Sequence, residues 1–488
     1  MTTTTQPTAR LVPRPRAWAH LGRAAADRLV ACVLVLAASC SRFTVDVGPV
    51  AVRPEHVVAL LLAVVVVANP GWRGRLWTVV RAPTSLTLLS FVAWLAAVSA
   101  VWSPDLTASA RIVGWLGLDA MVFIGLATLP SAHAAAAGVL RWGTRCAFVL
   151  AVLGIGLWVS ASTAGPVLGV QLDGNYGGYA VYATTYEANI FASVVVLWAL
   201  AYAATGQRGH AWVDAAVAIV VPVALLASHT RAAFAALAVG LLLLMCQPSA
   251  RPRAMNIGGV SVVVLATVLQ GPAVGVVVGV GVAAVLFVSY RWWPRPGSAR
   301  TERPGRRRGR RHPFARTWLA GGVGLALVAA GLVVAGVLQP ADLPGGGPTG
   351  LSVKFSQGDL GSGTGKVRFD QWTTALGDLH GRSLLTGLGA NTYGERHLDP
   401  TQPGRPGYLS NMWLSVVYEG GLIGLALLVA FGGLLVWSLP ARWRAAAIAL
   451  GAAFAVLNVF TSSIWFMTTW LLAALGASVA RSGRTGRP

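Results

Sequence analysis

The chain has 488 residues, of which 55% are hydrophobic and 11% charged, and a formal net charge of +22. That is too apolar for a soluble globular protein. Its apolar residues come in continuous runs of about 16–22, the length that crosses a hydrocarbon core roughly 30 Å thick. Barrel strands would alternate at every second position instead. The expected fold class is therefore all-α: a polytopic integral membrane protein with about 12–14 transmembrane helices and one large extracytoplasmic loop.

In chain order, residues 1–26 are rich in Thr and Arg and read as a disordered, basic cytoplasmic tail. The first apolar run has no small-x-small cleavage site behind it, so it reads as a retained helix. About fourteen apolar segments follow from residue 27 onward. Eleven form an N-terminal bundle over 27–338, and three form a C-terminal part over 411–480, ahead of a short cytoplasmic tail at 481–488. The closely spaced pairs 211–246 and 255–290 each also read as one hairpin of short helices, which lowers the count to about twelve.

Charge assigns the sides. Ten arginines crowd between Arg291 and Arg316, whereas 339–410 balances six basic residues with six acidic ones. Basic loops stay inside and balanced loops are exported, so 291–316 is expected to be a cytoplasmic loop and 339–410 the extracytoplasmic one. Both termini then fall in the cytoplasm. Topogenesis and contact with anionic membrane lipids explain the arginine run better than nucleic acid does. Cys32, Cys40, Cys146 and Cys246 all lie in or beside apolar runs, so neither a disulfide framework nor metal-type spacing is present in the outer loop.

Three outer features carry candidate chemistry. Arg231 follows Ser228-His229-Thr230 at a turn between two apolar helices. A membrane-boundary arginine either snorkels to headgroups or offers a donor fork to a phosphate. Glu187 and Asn189 stand where an outer loop enters a helix, and act either as caps or as a base and a hydroxyl contact. In the large loop, Val367, Trp372, Ala375, Leu376 and Leu379 share a helical face that carries Arg368 beside it. His397, in Glu395-Arg396-His397, is either a solvated histidine or a participant in catalysis. The tract Gly361-Ser362-Gly363-Thr364-Gly365-Lys366 fails as a phosphate-binding loop, because Leu360 stands where that motif needs glycine and Val367 follows the lysine. Asp119 and Asn458 are the main polar candidates for a mid-membrane transport site, and both read either as lying towards helix ends or as bonded to neighbours.

Together these pieces resemble the O-antigen ligase and O-antigen polymerase superfamily of bacterial envelope glycosyltransferases. The matching residues are Asn189-Ile190-Phe191-Ala192, Thr230-Arg231-Ala232-Ala233 and Arg368-x-x-x-Trp372. They continue with Gly387-x-Gly389, Asn411-x-x-Leu414 and Glu419-Gly420-Gly421-x-x-Gly424. The resemblance implies a cofactor-free, metal-independent enzyme of the cytoplasmic membrane with an extracytoplasmic active site. Its donor would be a glycan on a polyprenyl-pyrophosphate carrier, and its acceptor a hydroxyl of a glycan, lipid or protein. Arg231 and Arg368 match the donor-binding arginines; Asn189, Trp372, Asn411 and Glu419 fall at acceptor or positioning sites. Members typically carry histidine where this chain has Ser410. A serine hydroxyl is no base near neutral pH, so Glu187, His397 or Glu395 would have to substitute, or the acceptor chemistry differs, or activity is lost. The rival readings are a transporter or flippase for a lipid-linked sugar or small solute, and a catalytically inactive scaffold.

Overall fold

The structure, a computed structural model, describes residues 15–47, 50–173, 178–205, 211–270, 277–280, 363–398 and 407–485. The expected spans 272–290 and 317–338, the arginine run 291–316 and the Gly/Pro tract from 339 lie wholly or mostly outside the described residues. The protein is mostly helical, as its continuous apolar runs require. Two small antiparallel hairpins amend the all-α expectation: β1 (Val45–Val47) with β2 (Val50–Val52), and β3 (Val170–Leu172) with β4 (Tyr179–Val181).

The first helix, α1 (Pro15–Ala38), begins ahead of its apolar run, so 15–26 is helical where composition suggests a disordered tail. Next come α2 (Pro54–Ala68) and α3 (Pro70–Val80), which meet at an angle of 110°. The corner has a local cause. A residue before proline is pushed out of the helical region, and Asn69 is extended there, its side chain accepting the Gly71 N–H at 3.0 Å to cap α3. The bundle continues with α4 (Pro83–Trp102), α5 (Leu106–Thr128), α6 (Ala132–Ala164), α7 (Ala188–Thr205), α8 (Ala211–Ala227), α9 (Arg231–Met245) and α10 (Arg251–Gln270). After the large loop it closes with α14 (Met412–Ser438), α15 (Ala441–Leu457) and α16 (Met467–Thr485).

Among the described residues, five helices are long and apolar enough to cross a membrane: α4, α5, α6, α7 and α14; counting α2–α3 as one bent span makes six. In α7 the apolar stretch is 83% buried against 22% in α14, so α7 forms the centre and α14 faces outward. Outward apolar side chains such as Val429, Leu422 and Trp437 suit contact with lipid, which solvates them as water does not. Short apolar helices, α8 and α9, make up the 211–246 pair.

Within the large loop, α11 (Gly363–Asp378), α12 (Arg382–Thr386) and α13 (Thr392–Arg396) rest on the start of α14. The expected apolar face of α11 forms in part. Ala375 and Leu379 are buried with Tyr393, Leu409 and Tyr418, and Trp372 packs beside them, while Leu376 is 57% exposed.

Helix α14 is broken at Gly421, which takes φ 67° and ψ −172°. The break strands the Tyr418 and Glu419 carbonyls, which lose their helical donors. The chain at 387–389 replaces those donors: Leu388 N–H donates to Tyr418 at 2.8 Å and Gly389 N–H to Glu419 at 2.9 Å. Backbone meets backbone here. A side chain on Gly387 would overlap the Glu419 carbonyl, and one on Gly421 would overlap that of Leu385.

The connecting segments gather at one end of the bundle. The 39–43 turn meets 184, with Arg42 N–H donating to Thr184 at 3.2 Å. His229 contacts Asp173 at 3.3 Å, and Met412 N–H donates to Thr461 at 3.0 Å. Asp105 N–H donates to the Glu395 carboxylate at 3.2 Å.

Candidate active site

The start of α7 is the meeting point. Glu187 precedes the helix, and the Thr461 hydroxyl donates to its carboxylate at 3.2 Å. Two residues on, the Asn189 side-chain oxygen accepts from the Thr230 hydroxyl at 3.2 Å. Thr230 immediately precedes Arg231, the first residue of α9. A cation there opposes the positive end of the helix dipole. The positive end of the helix and the guanidinium together favour an anion.

Arg368 reaches the same place from α11. Its guanidinium carbon lies 5.8 Å from the Phe460 ring centre, and Trp372, one turn later, packs on the same ring with centroids 6.1 Å apart. Phe460 adjoins Thr461. Burial pushes the Glu187 carboxyl above the ordinary glutamate range, while Thr461, the Arg368 charge and Asn189 pull it back. The opposing causes leave a carboxyl that takes a proton more readily than a solvated one.

Around this centre lie buried donors with no hydrogen-bond partner among the described residues: the Ser410 and Ser462 hydroxyls and the Trp372 indole N–H. Each unmade bond costs about 1–3 kcal/mol, a cost that oxygen atoms of a bound polyol or phosphate would relieve. Tyr408, a partly exposed residue, adds a phenol whose oxygen lies against Thr461 and Ser462. Burial and the nearby Glu187 charge push that phenol up.

The other expected site residues are placed differently. Asn411 caps α14, its side chain accepting the Leu414 N–H at 3.0 Å. Glu419 sits at the helix break, accepting from the Ser415 hydroxyl at 3.3 Å. His397 contacts the Asp378 carboxylate at 2.7 Å, which also accepts from the Tyr418 hydroxyl at 2.6 Å, and its ring packs on Tyr393. Burial raises the Asp378 carboxyl, but the Tyr418 and His397 bonds, with the His397 and Arg396 charges, outweigh it and leave the pKa below the ordinary value of 3.8. This assembly braces α11 against α14. Glu395 joins neither group; it ties α13 to the start of α5 through Asp105.

Three contributors escape a reading of the sequence: Thr461, Tyr408 and Phe460. Thr461-Ser462-Ser463 is a visible polar break between apolar runs, but nothing local pairs it with Glu187, 274 positions away. No group of three or more His, Cys, Asp or Glu side chains with metal-binding geometry occurs among the described residues. No protein-family model matches the chain, and no curated protein matches it.

Proposed function

We propose that the protein is a lipid-linked-oligosaccharide glycosyltransferase of the O-antigen ligase and polymerase type. It moves a glycan from a polyprenyl-pyrophosphate carrier to an acceptor hydroxyl at the outer face of the cytoplasmic membrane, in cell-surface polysaccharide assembly. One observation carries this reading: both arginines singled out by the sequence are tied to a single helix start, Arg368 through Glu187 and Arg231 through Thr230 and Asn189. One guanidinium acting on the carboxyl and a second arginine starting the helix bonded to its neighbour suit displacement of a pyrophosphate.

In that reaction the bond from the anomeric carbon to the pyrophosphate oxygen breaks, and its electron pair leaves with the pyrophosphate. Arg231 and Arg368 stabilise the charge as it develops. The acceptor oxygen bonds to the anomeric carbon, and its proton passes to the Glu187 carboxylate. Glu187 thereby takes the part that serine at 410 cannot play. Ser410, Ser462 and Tyr408 supply hydrogen bonds to sugar hydroxyls.

The test is transfer from a synthetic lipid-pyrophosphate oligosaccharide by protein in lipid nanodiscs. Removing one such charge-stabilising donor typically costs on the order of 10²–10³ in turnover. Losses of that size are expected for Arg231→Ala and Arg368→Ala. Wild-type turnover in both variants would remove the donor-site assignment.

A transport reading draws on a different observation. Asp119 is mid-helix in α5 and 3% exposed, beside the Arg53–Glu55 pair, rather than towards a helix end. Asn458, its companion candidate, is consumed in the 458–463 turn, accepting from the Ser463 N–H and hydroxyl at 2.8 Å each. Carrier-linked sugar flipping in proteoliposomes that Asp119→Asn abolishes, with no transfer by the wild type, would favour transport.

A further inference from the structure

We infer that Arg53 is a positioning residue for Glu187: its buried guanidinium clamps the segment that carries Glu187 to the turn that carries Thr461. The use made of Glu187 as a base rests on the transferase reading.

Arg53 joins the β1–β2 hairpin to α2, and its backbone is fixed from both sides. Val52 before it pairs with Val45. Pro54 after it favours extended backbone, and Arg53 takes φ −102° and ψ 156°. Its N–H donates to His56 Nδ1 at 3.3 Å, one turn into the helix. From this anchor the side chain runs inward and is buried.

The guanidinium ends in a cage of three rings from three segments. Its carbon lies 4.8 Å from the ring centre of Trp115 on α5, 4.9 Å from that of Phe466 and 5.6 Å from that of Tyr186. All three fall within the roughly 6 Å over which a cation is held by an aromatic face. Nη1 also donates to the Trp465 carbonyl at 3.4 Å. Tyr186 and Phe466 pack on each other with centroids 5.9 Å apart. Tyr186 is 55% exposed, so the cation and the Phe466 ring do much to hold it.

This clamp lies across the hydrogen bond from Thr461 to Glu187. Tyr186 directly precedes Glu187, while Trp465 and Phe466 close the turn that Thr461 opens. Stability alone does not account for it. Arg53 Nε and both Glu55 oxygens have no hydrogen-bond partner among the described residues, and Glu55 stands 3.8 Å from Nη1. A buried ion pair made this loosely gains little, because desolvation of both charges offsets their attraction. What a guanidinium supplies is a planar cation that stacks on rings and donates from its edge at the same time.

The experiment reads the Glu187 carboxyl band by isotope-edited infrared spectroscopy, on the full chain in nanodiscs without donor. The band is identified by its loss in Glu187→Gln. Arg53→Met alone would leave Glu55 buried and unpaired, so it is combined with Glu55→Leu; apolar replacement of a buried pair is often close to neutral for stability. The titration midpoint should rise by about 1 pH unit, the worth of a hydrogen bond to a charged group. Arg368 from α11 and the Tyr408 phenol also face Glu187, and neither is altered. Thr461→Val should raise the midpoint equally, and adding it to the double variant should raise it no further, because both remove the same bond. In the transfer assay the double variant should lose about tenfold or more in kcat with KM for the donor unchanged. A merely structural Arg53 would lower thermal stability and leave the midpoint in place. Should the double variant not fold, Arg53→Lys leaves no charge unpaired, lacks the planar fork, and should also raise the midpoint. A wild-type midpoint in the variant that folds overturns the inference, as does a Thr461→Val shift that adds in full. A raised midpoint in a protein whose wild type performs no transfer would sink the transferase reading alone.

Discussion

Replacing Gly387 by alanine should loosen the whole 382–396 strap from α14. Gly387 has φ 81° and ψ −177°, and a Cβ there would overlap the Glu419 carbonyl. Those angles lie in a region open essentially to glycine, where another residue is strained by about 1–3 kcal/mol. The overlap is with backbone, so the strap must lift, and the bonds from Leu388 N–H to Tyr418 and from Gly389 N–H to Glu419 weaken with it. At about 1 kcal/mol each, the sum is about 3–5 kcal/mol. At 1.4 kcal/mol per factor of ten, that raises the open population roughly 10²- to 4 × 10³-fold. Trypsin reads this directly, because Arg382 and Arg396 are exposed sites within the strap. Where opening is fast relative to cleavage, the rate follows the open population. The control is Gly377→Ala in α11, where a Cβ meets nothing within 4 Å; alanine there should stabilise the helix by up to about 1 kcal/mol. Cleavage of Gly387→Ala at the wild-type rate would refute the argument.

Thr461→Val removes the hydrogen bond that favours ionised Glu187, so its pKa should rise further. If Glu187 is the base, the acidic limb of the transfer rate profile moves to higher pH, and an unmoved limb removes Glu187 from that role. Asp378 has a lowered folded pKa, so its contribution to stability is complete above the ordinary value of 3.8 and is lost as pH falls through the folded value. Hydrogen exchange in α11 should therefore stay slow at pH 5 and accelerate in stronger acid, a change that Asp378→Asn abolishes. Asn411→Ala deletes a helix cap worth about 0.5–2 kcal/mol. Thermal unfolding should fall accordingly while KM for the donor holds, and a large KM change would return Asn411 to the binding site.

The Gly387-x-Gly389 and Glu419-Gly420-Gly421 pieces show how far a motif can be read. Their order in the chain is visible, yet nothing local says that the first repairs the hydrogen bonds broken by the last. Asn411, Glu419 and His397 are similar cases. Residue type marks them as chemically capable, while their neighbours make them a cap, a partner of Ser415 and a brace on Asp378. Asp119 erred the other way, because helix ends are poorly defined where apolar runs meet.

What the sequence determined by itself is what depends on neighbours in the chain. Apolar run length set the helices, the Asn69-Pro70 pair carried the corner after α2, and helical spacing placed Ala375 and Leu379 in the core. The candidate site belongs to the tertiary structure. Glu187, Thr230, Arg368 and Thr461 come from four separate segments and meet only because packed helices bring their ends together. Hydrogen bonds and charge–charge contacts act over a few ångströms of space, and a linear sequence carries no measure of that distance.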